Sequence, residues 1–214
     1  MPNWCLNTVE FEGSTQQIKK VRKAAESGKL FHSLYPMPQA LEDTVNGSES
    51  AKPDWQKQTS GQLKMAHGAD NWYDWNIQNW GTKWDTSQVY IDSVNTDDPD
   101  YSTITLSFDT AWSPPIRFYE ELFEQMNEDM DDPTFHIRAT YYEPGCDFTG
   151  VWEDNDDRCY GLHGEDDDFF ENDEDGQLID GHYGVLDQRA EDRAEEMEEV
   201  QEWYEDGKKE LNLA

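Results

Sequence analysis

Apolar and polar residues alternate in four segments of the first 150 residues, and this period of two predicts four β-strands. The strands are expected over residues 4–11, 86–94, 102–110 and 134–142. In the third segment, Ile104, Leu106 and Phe108 fall on one face of the predicted strand. Because only a short turn separates the second and third segments, we expect these two strands to form a hairpin.

Two other segments place apolar residues three or four positions apart, which predicts amphipathic helices. The first helix begins after Ser14, which can form a capping box with Gln17, and stops at Gly28. The second begins at the Pro114–Pro115 pair, which a helix tolerates in its first turn, and is expected to end near residue 130.

The order of these elements predicts an α+β fold, a ferredoxin-like βαββαβ sandwich in which both helices cover one face of an antiparallel sheet. We assign this domain to residues 1–152. Residues 29–85 are predicted to be an insertion after the first helix, with a short helix in its aromatic run that ends at Gly81. Residues 145–152 and 158–162 are expected to add two short strands.

The last third of the chain holds a disproportionate share of the negative charge. Residues 151–214 contain 24 Asp and Glu against 5 Lys and Arg, whereas residues 1–150 contain 24 against 11. We therefore expect residues 153–214 to be an acidic C-terminal extension, with a loop or hairpin at 163–180 and a final helix at 185–206. One narrow apolar stripe would run along that helix, formed by Leu186, Ala190, Ala194, Met197, Val200 and Tyr204.

The composition limits the class of protein. Aromatic residues make up 13% of the 214 residues, including nine Trp, which indicates a globular chain. No apolar window of about 18 residues occurs, and the N-terminus lacks the basic and apolar regions of a signal peptide, so we expect a cytoplasmic protein without membrane contact. The three cysteines have no spacing typical of a zinc site or a disulfide framework.

The formal net charge of −32 destabilises a compact fold, because the negative side chains repel one another, and so it needs an explanation. Solubility alone requires a net charge of only about 2 to 8 in a small domain. A salt-loving host would favour acidic residues over the whole surface, whereas here they are concentrated in one third. This concentration favours a basic partner, a nucleic-acid-binding protein, and argues against direct nucleic acid binding by this chain.

Carboxylates of the extension are the predicted contacts with that partner. Carboxylates one helical turn apart are spaced by about 5.4 Å along the axis, close to the separation of phosphates on one nucleic-acid strand. A solvated helix face, a surface that binds a basic peptide, and weak calcium binding are the alternatives, although the acidic run lacks the register of a calcium loop. The predicted contacts are Asp166, Asp167, Asp168, Glu171, Asp173, Glu174 and Asp175 in the loop, and Glu191, Glu195, Glu198 and Glu202 in the helix.

The segment from Trp80 to Trp84 supports a second hypothesis, a small-ligand or nucleotide-binding protein. Its side chains could line a pocket that stacks a base or a sugar. The competing interpretation is an aromatic corner that seals the insertion against the sheet. The residues of this alternative site are Trp80, Lys83, Trp84, Asp85 and Trp112.

No feature of the sequence predicts an enzyme. There is no nucleophile with an adjacent base, no phosphate-binding glycine loop and no histidine pair with metal spacing. We therefore assign no catalytic residues, no metal ligands and no cofactor.

Four short strings resemble motifs of the YubB-type family of ferredoxin-like proteins, whose members occur in bacteria, on conjugative plasmids and in phages. The strings are MPNWCLN at 1–7, NWGTKWD at 79–85, FDTAWSPP at 108–115 and YEPG at 142–145. The resemblance covers about residues 1–152 and implies the ferredoxin-like fold and an origin on a mobile element, but no biochemical activity. Together with the acidic extension, it suggests a phage or plasmid protein that blocks a nucleic-acid-binding host defence protein by mimicking nucleic-acid charge.

Overall fold

In a computed structural model of the chain, the described residues are 3–98, 101–128 and 134–212. The chain divides into two compact units, residues 1–162 and residues 163–214, which are described separately below. The predicted boundary at residues 152–153 therefore lies ten residues before the observed one.

The first unit contains an α+β arrangement built on a six-stranded antiparallel sheet with the strand order β2-β3-β1-β4-β5-β6. The four strands expected from alternation are confirmed, with small shifts at their ends. The strands are β1 (Trp4–Gly13), β2 (Ser87–Asn95), β3 (Ser102–Ala111), β4 (His136–Glu143), β5 (Phe148–Glu153) and β6 (Asp156–Gly161).

The hairpin of β5 and β6 explains the later boundary. Glu153 pairs with Asp156 and Phe148 pairs with Gly161, so the whole of β6 extends the sheet beyond β5. A division at residue 152 would cut through β5 and separate β6 from its only partner among the described strands. The two short strands expected over 145–152 and 158–162 therefore belong to the first unit.

Helices α1 (Thr15–Glu26) and α6 (Ile116–Met126) are the two amphipathic helices expected from the sequence. The capping box of Ser14 and Gln17 is present. Both helices contribute to one buried core with the sheet, in which Ile18 of α1 and Phe118 of α6 are fully buried, as is Val9 of β1. Helix α6 ends earlier than expected.

The insertion contains four helices: α2 (Leu30–Leu34), α3 (Gln39–Glu42), α4 (Asp54–His67) and α5 (Trp72–Asn79). Helix α5 is the short aromatic helix expected before Gly81, and Asn71 caps it. Helix α4 was not predicted, because Gln56 is its one buried residue and no apolar stripe marks it in the sequence.

The second unit is helical, with α7 (Asp167–Asn172), α8 (Glu174–Tyr183) and α9 (Val185–Asn212). The predicted loop or hairpin at 163–180 is corrected to a pair of short helices, whose buried side chains include Phe170 and Ile179. Helix α9 confirms the final helix but continues six residues beyond the predicted end. Among the described residues, no helix combines the length and the apolar character needed to cross a bilayer.

Candidate interaction surface on the acidic helices

Two of the predicted contact residues are helix caps. The side chain of Asp166 accepts a hydrogen bond from the backbone amide of Phe169, and that of Asp173 accepts from the amides of Asp175 and Gly176. These amides lie in the first turns of α7 and α8, where a helix has no carbonyl partner for them. Asp166 and Asp173 therefore stabilise the fold of the second unit.

Asp167 is also engaged within the unit. Its carboxylate oxygens lie 3.0 Å from Arg189 Nη1 and 2.8 Å from Arg193 Nη1 of α9. Hydrogen bonds from Arg189 are the main cause that lowers the pKa of Asp167. The guanidinium of Arg189 lies over the ring of Phe170, 4.6 Å from its centroid. This group fastens the beginning of α9 to α7.

The other predicted contacts on α7 and α8 lie at the surface. Asp168 accepts a hydrogen bond from Asn172 Nδ2 at 2.8 Å. Glu171 and Glu174 are exposed, and Asp175 is half-buried in the first turn of α8. The acidic run of the sequence is thus largely explained by capping and by first-turn positions, where carboxylates interact favourably with the helix dipole.

The row of Glu191, Glu195, Glu198 and Glu202 on α9 differs from these residues in having no partner. All four side chains are exposed, and no ion pair or hydrogen bond of their carboxylates occurs within the described part of the chain. Asp192, Glu196 and Glu199 form a second exposed row beside the first. Helix α9 therefore presents unpaired carboxylates over about half of its circumference.

The charge density of this helix can be compared with that of a nucleic acid. Residues 191–206 contain nine Asp and Glu and one Arg. At a rise of 1.5 Å per residue this stretch is about 24 Å long, or about 3 Å per net charge. Duplex DNA carries one charge per about 1.7 Å of axis and each of its strands one per about 3.4 Å. The carboxylates of α9 thus approximate the charge density of one strand.

The apolar stripe of α9 is mostly exposed. Only its beginning is covered, with Val185 buried and Leu186 half-buried, whereas the chain from Ala190 to Asp206 is exposed. Met197 is 74% exposed, Val200 66%, Trp203 78% and Tyr204 54%. Trp203 lies at the edge of the stripe and was not predicted to belong to it.

Two residues of the alternative ligand site have structural roles. Trp80 is buried in the core, and its indole nitrogen donates a hydrogen bond to the carbonyl of Tyr35 at 3.0 Å. Asp85 accepts hydrogen bonds from the backbone amides of Phe31 and His32, which lie in the first turn of α2. Neither side chain is free to bind a ligand.

The other three residues of that alternative site are only partly joined by contacts. Lys83 Nζ lies 4.3 Å from the ring centroid of Trp84, which is partly exposed. Trp112 is partly exposed at a positive φ of 74°, and its amide donates to the carbonyl of Asn3. No ring contact or hydrogen bond joins Trp112 to Lys83 or Trp84 among the described residues. The aromatic segment is therefore built mainly as a structural corner.

The described residues contain no cluster of three or more His, Cys, Asp and Glu side chains placed to hold a metal ion. No family model matches the chain, and no curated protein matches it. Among solved structures, the chain is similar to protein api92 from Yersinia pseudotuberculosis, a DUF1281 protein, at 12% identity and a TM-score of 0.37. The similarity covers 75% of this chain and 99% of that one. A likeness of this degree assigns neither a fold family nor a function.

Proposed function

We propose that this protein is an inhibitor that mimics nucleic-acid charge and occupies the basic groove of a nucleic-acid-binding host protein. The observation that carries the proposal is the exposed row of Glu191, Glu195, Glu198 and Glu202, for which the described residues supply no neutralising cation. A Lys- or Arg-lined groove would replace water and counterions around these carboxylates. Such complementarity speeds association and fixes the register of binding more than it adds affinity.

The mechanism is competitive occlusion. A groove that binds one nucleic-acid strand offers cations at a spacing that suits about one charge per 3.4 Å, which α9 approximates. Because the helix is a single element with its carboxylates on one side, it can lie along such a groove as a strand would. Inhibitor and nucleic acid would then exclude each other.

We also propose the ferredoxin-like arrangement for the first unit. The order β2-β3-β1-β4 with α1 and α6 between the strands supports it, and β5–β6 would be an added edge hairpin. The origin on a plasmid or phage, and a host defence protein as the target, rest on the resemblance of the four strings to the YubB-type family.

The four strings meet in space, which supports their treatment as one structural motif. Thr82 donates a hydrogen bond to the carbonyl of Ala111, and Ser113 donates to that of Gly81. The carbonyl of Asn3 accepts from Trp112, and its side-chain amide lies 3.5 Å from Cys146 Sγ, just after the fourth string. The strings thus join the C-terminal end of the insertion to the ends of the inner strands β1, β3 and β4.

The test compares two variants that each lose four negative charges. In the first, Glu191, Glu195, Glu198 and Glu202 become Gln. In the second, the matched control, exposed acidic residues of the first unit become the corresponding amides: Asp43, Asp97, Glu124 and Glu128. Each protein is immobilised, used to capture proteins from a bacterial lysate at low salt, and washed with duplex DNA or single-stranded RNA.

We expect the wild type and the control variant to capture the same nucleic-acid-binding proteins and to release them when nucleic acid or moderate salt is added. The α9 variant should capture few of them. If the α9 variant captures the same proteins, or if the wild type retains them in the presence of nucleic acid, the proposal is contradicted. The carboxylates of α9 would then be interpreted as a solvated helix face.

A further inference from the structure

Helix α9 exposes apolar side chains that charge mimicry does not require. Met197, Val200, Trp203 and Tyr204 lie within one third of the helix circumference, and each is more than half exposed. We call these four residues the α9 stripe. A contiguous exposed apolar patch rimmed by polar residues often marks an interaction site, whereas single exposed apolar residues do not.

The second unit itself does not cover the α9 stripe. Arg189 and Arg193 of α9 pair with Asp167 of α7, and every side chain from Ala194 to Asp206 is exposed. Acidic residues repeat here one turn apart, as in Glu195 and Glu199, and such like-charge pairs destabilise an isolated helix. A partner that both covers the stripe and supplies cations would stabilise this part of α9.

The charge around the stripe decides between possible occupants. Glu196 lies within the stripe, between Val200 and Trp203, and Asp192 and Glu199 follow on the side of Trp203. On the side of Met197 and Tyr204, Gln201 comes first, and Glu198, Glu202 and Glu205 lie beyond it. A second copy would bring these borders against their own kind, so self-association through the stripe is opposed by repulsion. An anionic membrane surface is repelled for the same reason. Both borders are complementary to Lys and Arg.

We propose that the α9 stripe is a docking site for a basic amphipathic helix of the partner, with Leu- or Met-type side chains on one face and Lys or Arg on both flanks. The apolar face would pack on Met197 and Trp203, and the flanking cations would pair with the bordering carboxylates. The inference rests on the proposed function in that the same helix binds the same partner, and it adds that the contact is partly apolar.

The test uses three synthetic helical peptides of about 18 residues, roughly five turns. The first has Leu on one face and Lys on the other. The second replaces every Leu by Ala and so keeps charge and helix propensity without large apolar groups. The third replaces every Lys by Glu. Affinities for the full chain are measured by titration calorimetry.

Two double variants serve as matched probes of the apolar contact. One carries Met197→Ser and Trp203→Ser in the α9 stripe. The control carries Met65→Ser and Trp55→Ser on α4, where Met65 is 86% exposed and Trp55 45% exposed. Trp203→Phe is a third variant that keeps a large ring.

We expect the Leu–Lys peptide to bind the wild type at least tenfold more tightly than the Ala–Lys peptide, and the Leu–Glu peptide not to bind. The tenfold difference should disappear in the α9 double variant and persist in the α4 control and in Trp203→Phe. Equal binding of the two basic peptides to the wild type, or an unchanged difference in the α9 double variant, would overturn the docking site.

The outcomes separate this inference from the proposed function. If capture of nucleic-acid-binding proteins depends on the four Glu residues of α9 while the peptides show no apolar preference, the charge mimicry holds and the docking site fails. If sedimentation shows that the wild type self-associates and the α9 double variant does not, the stripe binds a second copy and the docking site for a basic helix is overturned.

Discussion

Asp85 holds the first turn of α2 against the core. Its carboxylate accepts hydrogen bonds from the amides of Phe31 and His32, at 3.0 Å each, which have no carbonyl partner in the first turn of a helix. Phe31 is fully buried, and its ring packs against those of Trp80 and Phe118. Asp85, which was predicted as a contact of the alternative ligand site, thus stabilises the start of the insertion.

We expect Asp85→Ala to lower the free energy of unfolding by about 1 to 2 kcal/mol, the usual effect of losing such a cap. Asp85→Asn keeps an acceptor oxygen and should lose less. Thermal unfolding followed by circular dichroism measures both. An unchanged melting temperature in Asp85→Ala would show that the cap is not needed and would reopen a ligand-binding role for this residue.

Asp70 is the buried acidic residue of the insertion, and its stability contribution depends on pH. Burial would raise its pKa, but hydrogen bonds from Ser60, Lys52 and Asn71 outweigh this effect and hold the pKa below its usual range. Lys52 Nζ lies 2.9 Å from Asp70 Oδ2, and both side chains are buried. A carboxyl with a lowered folded-state pKa stabilises the fold above its unfolded pKa of about 3.9 and stops doing so as the pH falls through the folded value.

The stability difference between the wild type and Asp70→Asn should therefore be large at neutral pH and shrink as the pH falls below about 4. The comparison with a variant is needed because the many other carboxylates also titrate in this range. Asp54→Asn is the matched control. Asp54 also pairs with a lysine, Lys57 at 3.4 Å, but both side chains are exposed, and such a pair contributes little to stability. Urea unfolding from pH 7 to pH 3 measures both. A difference for Asp70→Asn that does not change with pH would contradict the ion-pair assignment.

At the scale of the elements, the hydrophobic period is most informative where one face is buried. Strands β1, β3 and β4 and helices α1 and α6 bury apolar side chains, so their periods could be predicted. Strand β2 has no buried residue, and only the alternation of its apolar residues predicted it. Helix α4 buries only Gln56 and shows no such period. Helices α7 and α8 could have been found from their caps, because Asp166 and Asp173 each precede a short acidic turn with an apolar residue behind it.

The sequence predicted which residues form the candidate surface, but not which of them are exposed and which are paired. The spacing of the apolar residues in α9 was visible, yet a buried stripe and an exposed one have the same period. Likewise, the sequence does not distinguish Asp167, which pairs with two arginines, from Glu195, which pairs with no cation in the part of the chain that the structure describes. Those distinctions depend on the packing of α7 and α8 against the beginning of α9.

The exposed part of α9 should be a weak helix whose content depends on salt. Its like-charged pairs one turn apart, such as Glu191–Glu195 and Glu198–Glu202, oppose the helix, and screening reduces that repulsion. We expect the helical signal of the full chain at 222 nm to rise with added salt. The variant with four Gln in α9 should be more helical at low salt and gain less on salt addition.

The variant with four amides in the first unit provides the control for this prediction. It loses the same charge but keeps the α9 carboxylates, so its helical signal should rise with salt as much as that of the wild type. An equal salt response of the α9 variant would show that repulsion along α9 does not limit its helix content.

At the scale of the whole molecule, the boundary between the units is set by the sheet. Strand β6 pairs along its length with β5, and Asp157 of β6 accepts a hydrogen bond from the hydroxyl of Tyr141 at 2.8 Å. Tyr141 is almost completely buried. All six strands and both core helices lie before residue 163, so the first unit contains what its core requires.

We therefore expect a chain truncated after Leu162 to unfold cooperatively, whereas one truncated after Asn155 should be less stable. The shorter chain lacks β6, which leaves the backbone groups of β5 as an exposed edge prone to association. It also loses the hydrogen bond from the Tyr141 hydroxyl to Asp157, and a hydrogen bond to a charged group contributes about 1.5 to 3 kcal/mol. Melting temperature and sedimentation distinguish the two chains. If both melt alike as monomers, β6 contributes nothing to the first unit and its boundary lies at residue 155; if neither unfolds cooperatively, the core requires the acidic helices.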